Sequence, residues 1–177
     1  SMELLEGAAL SALIDAGPMP VERAVAIARQ LALALGHVHV AGVVHRDLKP
    51  SNVMMLKDDR AKLLDFGLAK DEDRTRQTNT GDVLGTLRYM PPEQFAGRAV
   101  SPATDVYALA LILCELLTGQ APERRATGHA LPRAQLASHG VPLTLIDLLE
   151  RALSEDPAAR PANGAQLADQ LAASAKT

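Results

Sequence analysis

The stretch His45-Arg46-Asp47-Leu48-Lys49-Pro50-Ser51-Asn52, with Asp65-Phe66-Gly67 after it, decides how the rest of the chain is read. It sets a carboxylate (Asp47), an ammonium (Lys49), an amide (Asn52) and a second carboxylate (Asp65) in a segment with neither helical nor strand periodicity. Each piece alone is weak. An isolated His-Arg-Asp is most often a solvated turn, and Asp-Phe-Gly is a common triplet. Together, in this order and at this spacing, chance explains them poorly.

The chain on either side supplies the frame. Residues 8–15 read as one short helix stopped by Gly17-Pro18. A longer helix starts near Pro20, because proline fits the first helical turn. From there Val21, Ala24, Val25, Ala28, Leu31, Ala32 and Leu35 recur at helical spacing and mark a buried face, and Gly42 closes the helix. Residues 43–64 alternate short apolar pieces with polar turns such as Lys57-Asp58-Asp59-Arg60, the pattern of loops and small hairpins. Residues 65–93 are polar and aperiodic, and so long a loop in a compact domain is functional or mobile. Ser101-Pro102 opens a helix that runs to about Thr118 and ends at Gly119. Residues 106–117 are apolar on nearly every side, which places that helix at the centre of the domain. Further helices are expected at about 142–153 and 163–173, and no internal repeat is evident.

Composition bounds the function classes. A chain of 177 residues that is 47% hydrophobic can bury one real core, filled by Leu, Ala and Val because aromatics are only 2%. A formal net charge of -3 gives no general attraction to nucleic acid or anionic membrane. The single Cys114 excludes an internal disulfide and makes a thiolate metal site a poor reading. No N-terminal signal pattern is seen, and the longest apolar run, residues 106–114, is far shorter than the roughly 20 residues a membrane helix needs. A soluble, cytoplasmic chain without membrane contact is expected. Ser1-Met2 reads as a cloning remnant plus a native or introduced Met.

Phosphoryl transfer asks for the groups quoted above. It needs little covalent chemistry from the protein; donor phosphate, metal and acceptor hydroxyl must be aligned and their charge neutralised. Asp47 can orient the acceptor and take its proton, and Lys49 can meet the transferring phosphate. Magnesium prefers oxygen ligands, so the amide of Asn52 and the carboxylate of Asp65 suffice. The combined signature resembles the catalytic and metal-binding loops of eukaryotic-type Ser/Thr protein kinases, close to the bacterial receptor-like group. That resemblance implies ATP and Mg2+ as cofactors and a protein substrate. It makes Asp47 the catalytic base, Lys49 a phosphate contact, and Asn52 and Asp65 the metal ligands.

More of the chain carries the likeness. Gly85-Thr86-Leu87-Arg88-Tyr89-Met90-Pro91-Pro92-Glu93-Gln94 resembles the end of the activation loop, with Thr86 as a site residue bonded to the catalytic Asp and Lys. Asp105-Val106-Tyr107-Ala108-Leu109 resembles the start of the central helix. Asp156-Pro157-Ala158-Ala159-Arg160-Pro161 resembles the segment whose Arg pairs with the Pro-Glu glutamate, which predicts a buried Glu93–Arg160 ion pair. Met2-Glu3-Leu4-Leu5-Glu6-Gly7 resembles the hinge between kinase lobes; the backbone of Glu3 and Leu5 would meet the adenine edge, with Met54 under the ring. Arg46 and Lys70 resemble the basic pocket for a phosphorylated loop, with Thr75, Thr78 and Thr80 as candidate acceptors. Residues 120–141 match most loosely, and Glu123 stands where the family usually has an aromatic.

The implied architecture is mainly α. It is a kinase C-terminal lobe, a helical bundle around a buried central helix, with small β-hairpins at the catalytic loop. Its parts are a hinge at 1–7, the catalytic loop at 43–55, an activation segment at 65–93 and the central helix at 102–118. No Gly-rich phosphate loop or strand lysine is found, so the fragment alone is expected to bind ATP poorly, to turn over slowly if at all, and to self-associate through the surface a small lobe would cover. The alternatives are a non-catalytic pseudokinase or truncated docking module, against which all four polar residues stand intact, and a small-molecule phosphotransferase of related fold.

Overall fold

The computed structural model describes residues 7–64 and 87–174. Two small antiparallel sheets and seven helices, among the described residues, build one layered bundle. Strand β1 (Gly7–Ala9), helices α1 (Leu10–Asp15) and α2 (Val21–Val40), and strands β2 (Val53–Leu56) and β3 (Ala61–Leu63) come first. They are followed by α3 (Pro92–Phe95), α4 (Pro102–Thr118), the hairpin β4 (Arg124–Arg125) and β5 (Gly128–His129), α5 (Arg133–Ser138), α6 (Leu143–Ala152) and α7 (Gly164–Ser174).

Helix α4 is the axis. Every residue from Ala103 to Thr118 is buried, as its unbroken apolar run predicts. The helix starts at a capping box, in which the Ser101 N–H donates to Thr104 Oγ1 at 3.0 Å. It stops at Gly119, whose φ of 72° a side-chain-bearing residue would adopt only under strain. Against this axis pack α2 through Ala24, Ala28, Leu31 and Leu35, α6 through Leu145, Ile146, Leu148 and Leu149, and α7 through Leu167 and Leu171. Helices α2 and α7 touch almost backbone to backbone. A Cβ added at Gly164 would lie 2.3 Å from the Ala32 carbonyl and 2.5 Å from the Gly36 nitrogen.

The first sheet has the order β1-β2-β3, with Ala9 opposite Met54 and Met54 opposite Lys62. The segment 57–60 turns the β2–β3 hairpin with Asp59 at φ 59°. Two features depart from the sequence reading. Residues 8–15 divide into the end of β1 and the short α1, and residues 120–141, for which no element is expected, form the β4–β5 hairpin and α5.

Candidate active site

The candidate site is built on the loop between α2 and β2, and a buried carboxylate fixes its backbone. Asp105, in the first turn of α4, is 1% exposed. Its Oδ2 accepts the His45 N–H at 2.7 Å and its Oδ1 the Arg46 N–H at 3.0 Å. A third donor comes from α2. His39 Nδ1 accepts the Gly164 N–H at 3.1 Å, so in the neutral ring Nε2 carries the hydrogen and donates to Asp105 Oδ2 at 2.9 Å. Such a carboxylate would be costly to bury unpaired; three donors and the positive end of α4 satisfy it.

This anchoring matters because Arg46 sits at φ 66°, in the left-handed region, where a non-glycine residue costs roughly 1–2 kcal/mol. The neighbouring hydrogen bonds hold it there, including one from Gln94 Nε2 to the Arg46 carbonyl at 2.8 Å. The left-handed kink turns the chain directly before Asp47. Asn52, at the end of a 3-10 turn over Pro50–Asn52, closes the loop by donating from Nδ2 to the Asp47 carbonyl at 2.8 Å.

Three predicted site residues are thereby brought together. Lys49 Nζ lies 3.7 Å from Asp47 Oδ2, and Asn52 Nδ2 lies 3.5 Å from the same oxygen. Both side chains of the Lys49–Asp47 pair are largely but not wholly covered, at 18% and 13% exposure, which leaves the carboxylate within reach of an incoming group. Because Nδ2 of Asn52 is turned toward Asp47, its Oδ1 is the atom that can meet a cation, and a hard amide oxygen suits magnesium. Met54 is half-buried on β2. Glu3, Leu5, Asp65, Lys70, Thr75, Thr78, Thr80 and Thr86 lie outside the described residues. No group of three or more His, Cys, Asp or Glu side chains able to hold a metal occurs among the described residues.

The predicted Glu93–Arg160 pair is present and bidentate. Arg160 Nη1 meets Glu93 Oε1 at 2.8 Å and Nη2 meets Oε2 at 2.9 Å, with both residues buried. Burial works against ionisation of Glu93, yet the Arg160 guanidinium, joined by the Thr104 hydroxyl at 3.0 Å, outweighs it and holds the carboxyl below its usual range. This pair ties the start of α3 to the chain just before α7.

A third network escaped the sequence reading. Tyr89 donates to Glu115 Oε2 at 2.5 Å, and burial followed by that contact raises the phenol well above its usual range. Arg124 and His129 of the β4–β5 hairpin bond to carbonyls in the segment 87–90. Nothing in the pattern of residues 120–141 announces those contacts. His39, by contrast, had a signal: it continues the buried stripe of α2 four residues past Leu35, and a polar residue on an apolar stripe calls for a buried partner.

A helical lobe around a buried axis, with an Asp/Lys/Asn loop hung from that axis, defines the protein kinase class of folds. The chain belongs to the protein kinase domain family, whose model matches residues 1–173. It is 39% identical over 178 residues to the serine/threonine-protein kinase PknD of Mycobacterium tuberculosis, covering 94% of this chain and 27% of that protein. It is 37% identical to PknH of Mycobacterium bovis, covering 94% of this chain and 30% of that protein. The crystal structure of the Mycobacterium tuberculosis PknI kinase domain superposes with a TM-score of 0.76 at 29% identity, covering 98% of this chain and 64% of that one. The chain therefore spans under a third of the curated relatives' length.

Proposed function

We propose that this chain carries the catalytic loop of a Ser/Thr protein kinase and that the protein transfers the γ-phosphate of ATP to Ser or Thr hydroxyls of protein substrates. The observation that carries the reading is the convergence of Asp47, Lys49 and Asn52 on one loop whose backbone hangs from Asp105. In the reaction the acceptor oxygen bonds to the γ-phosphorus while the bond to the β-phosphate oxygen breaks, leaving ADP. The acceptor proton passes to the Asp47 carboxylate. Lys49 offsets charge on the transferring phosphate and steadies Asp47 meanwhile. Asn52 Oδ1 and Asp65 would hold Mg2+, which would supply positive charge against the phosphates. Met54 would pack under the adenine, with the backbone of Glu3 and Leu5 at its edge, and Thr86 would brace Asp47 and Lys49.

Support also comes from the relatives, which are named serine/threonine-protein kinases. No helix among the described residues is long and apolar enough to cross a membrane. A cytoplasmic setting, and self-association through the face around Met54 that a small lobe would cover, belong to the same proposal. The test is incubation of the full-length protein with γ-labelled Mg-ATP and a generic protein substrate, followed by phosphoamino-acid analysis. Label on Ser or Thr is expected; absence of acid-stable label, or label confined to Tyr, would overturn the reading.

A further inference from the structure

We infer that the β4–β5 hairpin is a clamp that shapes the acceptor side of the active site, with Arg124 and His129 as positioning residues for the protein substrate. The inference rests on the kinase reading above and names a part of the machinery that reading does not contain.

The segment 87–90 lies near the end of the proposed activation segment, just before α3. Among the described residues its internal backbone bond is Met90 N–H to the Leu87 carbonyl, at 3.4 Å. The hairpin takes up its carbonyls instead. Arg124 Nη1 donates to the Leu87 carbonyl at 2.7 Å and the Met90 carbonyl at 3.2 Å. His129 Nε2 meets the Arg88 carbonyl at 2.9 Å; because a carbonyl only accepts, that nitrogen carries the hydrogen. His129 Nδ1 then accepts from the Tyr107 hydroxyl at 2.9 Å, and Tyr107 is fully buried on α4. The central helix thus reaches the segment through one imidazole ring.

The hairpin itself is braced. Its ends close through Ala130 N–H to the Glu123 carbonyl at 2.8 Å, and Thr127 Oγ1 donates to Glu155 at 2.6 Å. The Arg124 guanidinium stacks over the Phe95 ring of α3, 4.5 Å from its centroid. Gly128, at φ 136°, lets the turn approach Tyr107; a Cβ there would sit 3.3 Å from the phenolic oxygen.

The position of the clamped segment gives the clamp its meaning. Tyr89 and Met90 line a small pocket together with Arg46, Asp47, Leu48 and Gln94. Lys49, Asn52 and Met54, the groups directed at nucleotide and metal, are not among its lining residues. The clamped segment therefore forms a wall of the space beside Asp47, the group that meets the acceptor hydroxyl in the proposed reaction. A wall displaced by about 1 Å misplaces the hydroxyl against Asp47, an error that costs up to about a hundredfold in rate. Loosening the hairpin should therefore weaken use of the protein substrate and leave nucleotide affinity alone.

The test uses the full-length protein with Arg124→Ala, Arg124→Lys and His129→Ala, read by two independent measurements. The first is hydrogen–deuterium exchange of the peptide covering residues 87–92, with nothing bound. The second is steady-state KM and kcat for protein substrate and for Mg-ATP. Arg124→Ala and His129→Ala should speed exchange in that peptide about tenfold and lower kcat/KM for protein between about tenfold and a hundredfold, with KM for ATP unchanged. Arg124→Lys, which keeps a cation over Phe95, should recover part of both losses, and it carries the test alone if the alanine variants do not fold. Unchanged exchange overturns the clamp. Faster exchange with KM for ATP rising in parallel, or with no change in kcat/KM for protein, overturns the substrate role. Should the unaltered protein transfer no phosphate, the kinase reading fails and the substrate role with it, while the exchange data still decide whether the clamp exists.

Discussion

Replacing Arg160 by alanine should strongly destabilise this domain. Arg160 is 4% exposed and Glu93 2%. Besides its two bonds to Glu93, the guanidinium donates to the carbonyls of Ala103 at 3.1 Å, Ser154 at 2.8 Å and Glu155 at 3.3 Å, and its centre lies 4.6 Å from the Tyr107 ring centroid. Arg160→Ala leaves a buried carboxylate without its cation, held by the Thr104 hydroxyl and its own backbone N–H, takes a donor away from those carbonyls and opens a void. Breaking a buried pair from one side costs about 3–5 kcal/mol, and the carbonyls that lose a donor put this case at the upper end. For a domain of this size that corresponds to a drop in Tm of about 8–20 °C. Thermal and urea denaturation followed by circular dichroism reads it directly. The double variant Glu93→Ala/Arg160→Ala should cost less than the sum of the single changes by about 2–3 kcal/mol, because the second truncation removes the charge the first one stranded. A single-variant cost below about 1 kcal/mol, or strict additivity, would refute the argument that the pair is buried and mutually dependent.

Other consequences follow from the close contacts. Gly164→Ala should destabilise by about 1–3 kcal/mol, because its Cβ would meet the backbone of Ala32 and Gly36 rather than a yielding side chain; the same denaturation assay checks it, and a neutral or stabilising result would mean that α2 and α7 are further apart. His129 should make the domain acid-sensitive. Burial, with a smaller push from the Arg124 charge, lowers its pKa from 6.5 to about 4, against a pull upward from the Arg88 carbonyl. The unfolded chain therefore binds the extra proton first, and the stability from a neutral His129 is whole above pH 6.5 and is lost as pH falls toward 4. His129→Gln, which can still accept from Tyr107 and donate to Arg88, should flatten that part of the stability–pH curve; an unchanged slope would assign the acid sensitivity to other groups.

How much of this was legible in the sequence depends on the range over which each feature is determined. Helix α4 was readable because an unbroken apolar run between Ser101-Pro102 and Gly119 has one physical outcome, a buried helix with a defined start and stop. Likewise α2, α6 and α7 were readable from period and punctuation, each within a few residues. The convergence of Asp47, Lys49 and Asn52 was readable because all three lie on one short loop. Strand β1 was not, since Gly7-Ala8-Ala9 carries no strand signal; its pairing depends on β2 and on Gly7 allowing an approach to the Met55 carbonyl, where a Cβ would fall at 2.3 Å. The β4–β5 hairpin was hidden for the same reason. Its two-residue strands are held by Arg124 and His129 reaching back across tens of residues to carbonyls 87, 88 and 90, and no local pattern encodes such a contact. Glu123 is a visible departure in the sequence, but the cation that covers Phe95 from the next position is evident only in three dimensions.

The central claim is that Asp47 takes the acceptor's proton, and single-turnover phosphoryl transfer by full-length Asp47→Asn tests it most directly. The account predicts a rate lower by a factor of about 10²–10⁴, with Tm unchanged and nucleotide affinity within a few-fold. Transfer within tenfold of the unaltered protein, from a variant that folds and binds nucleotide normally, would contradict it.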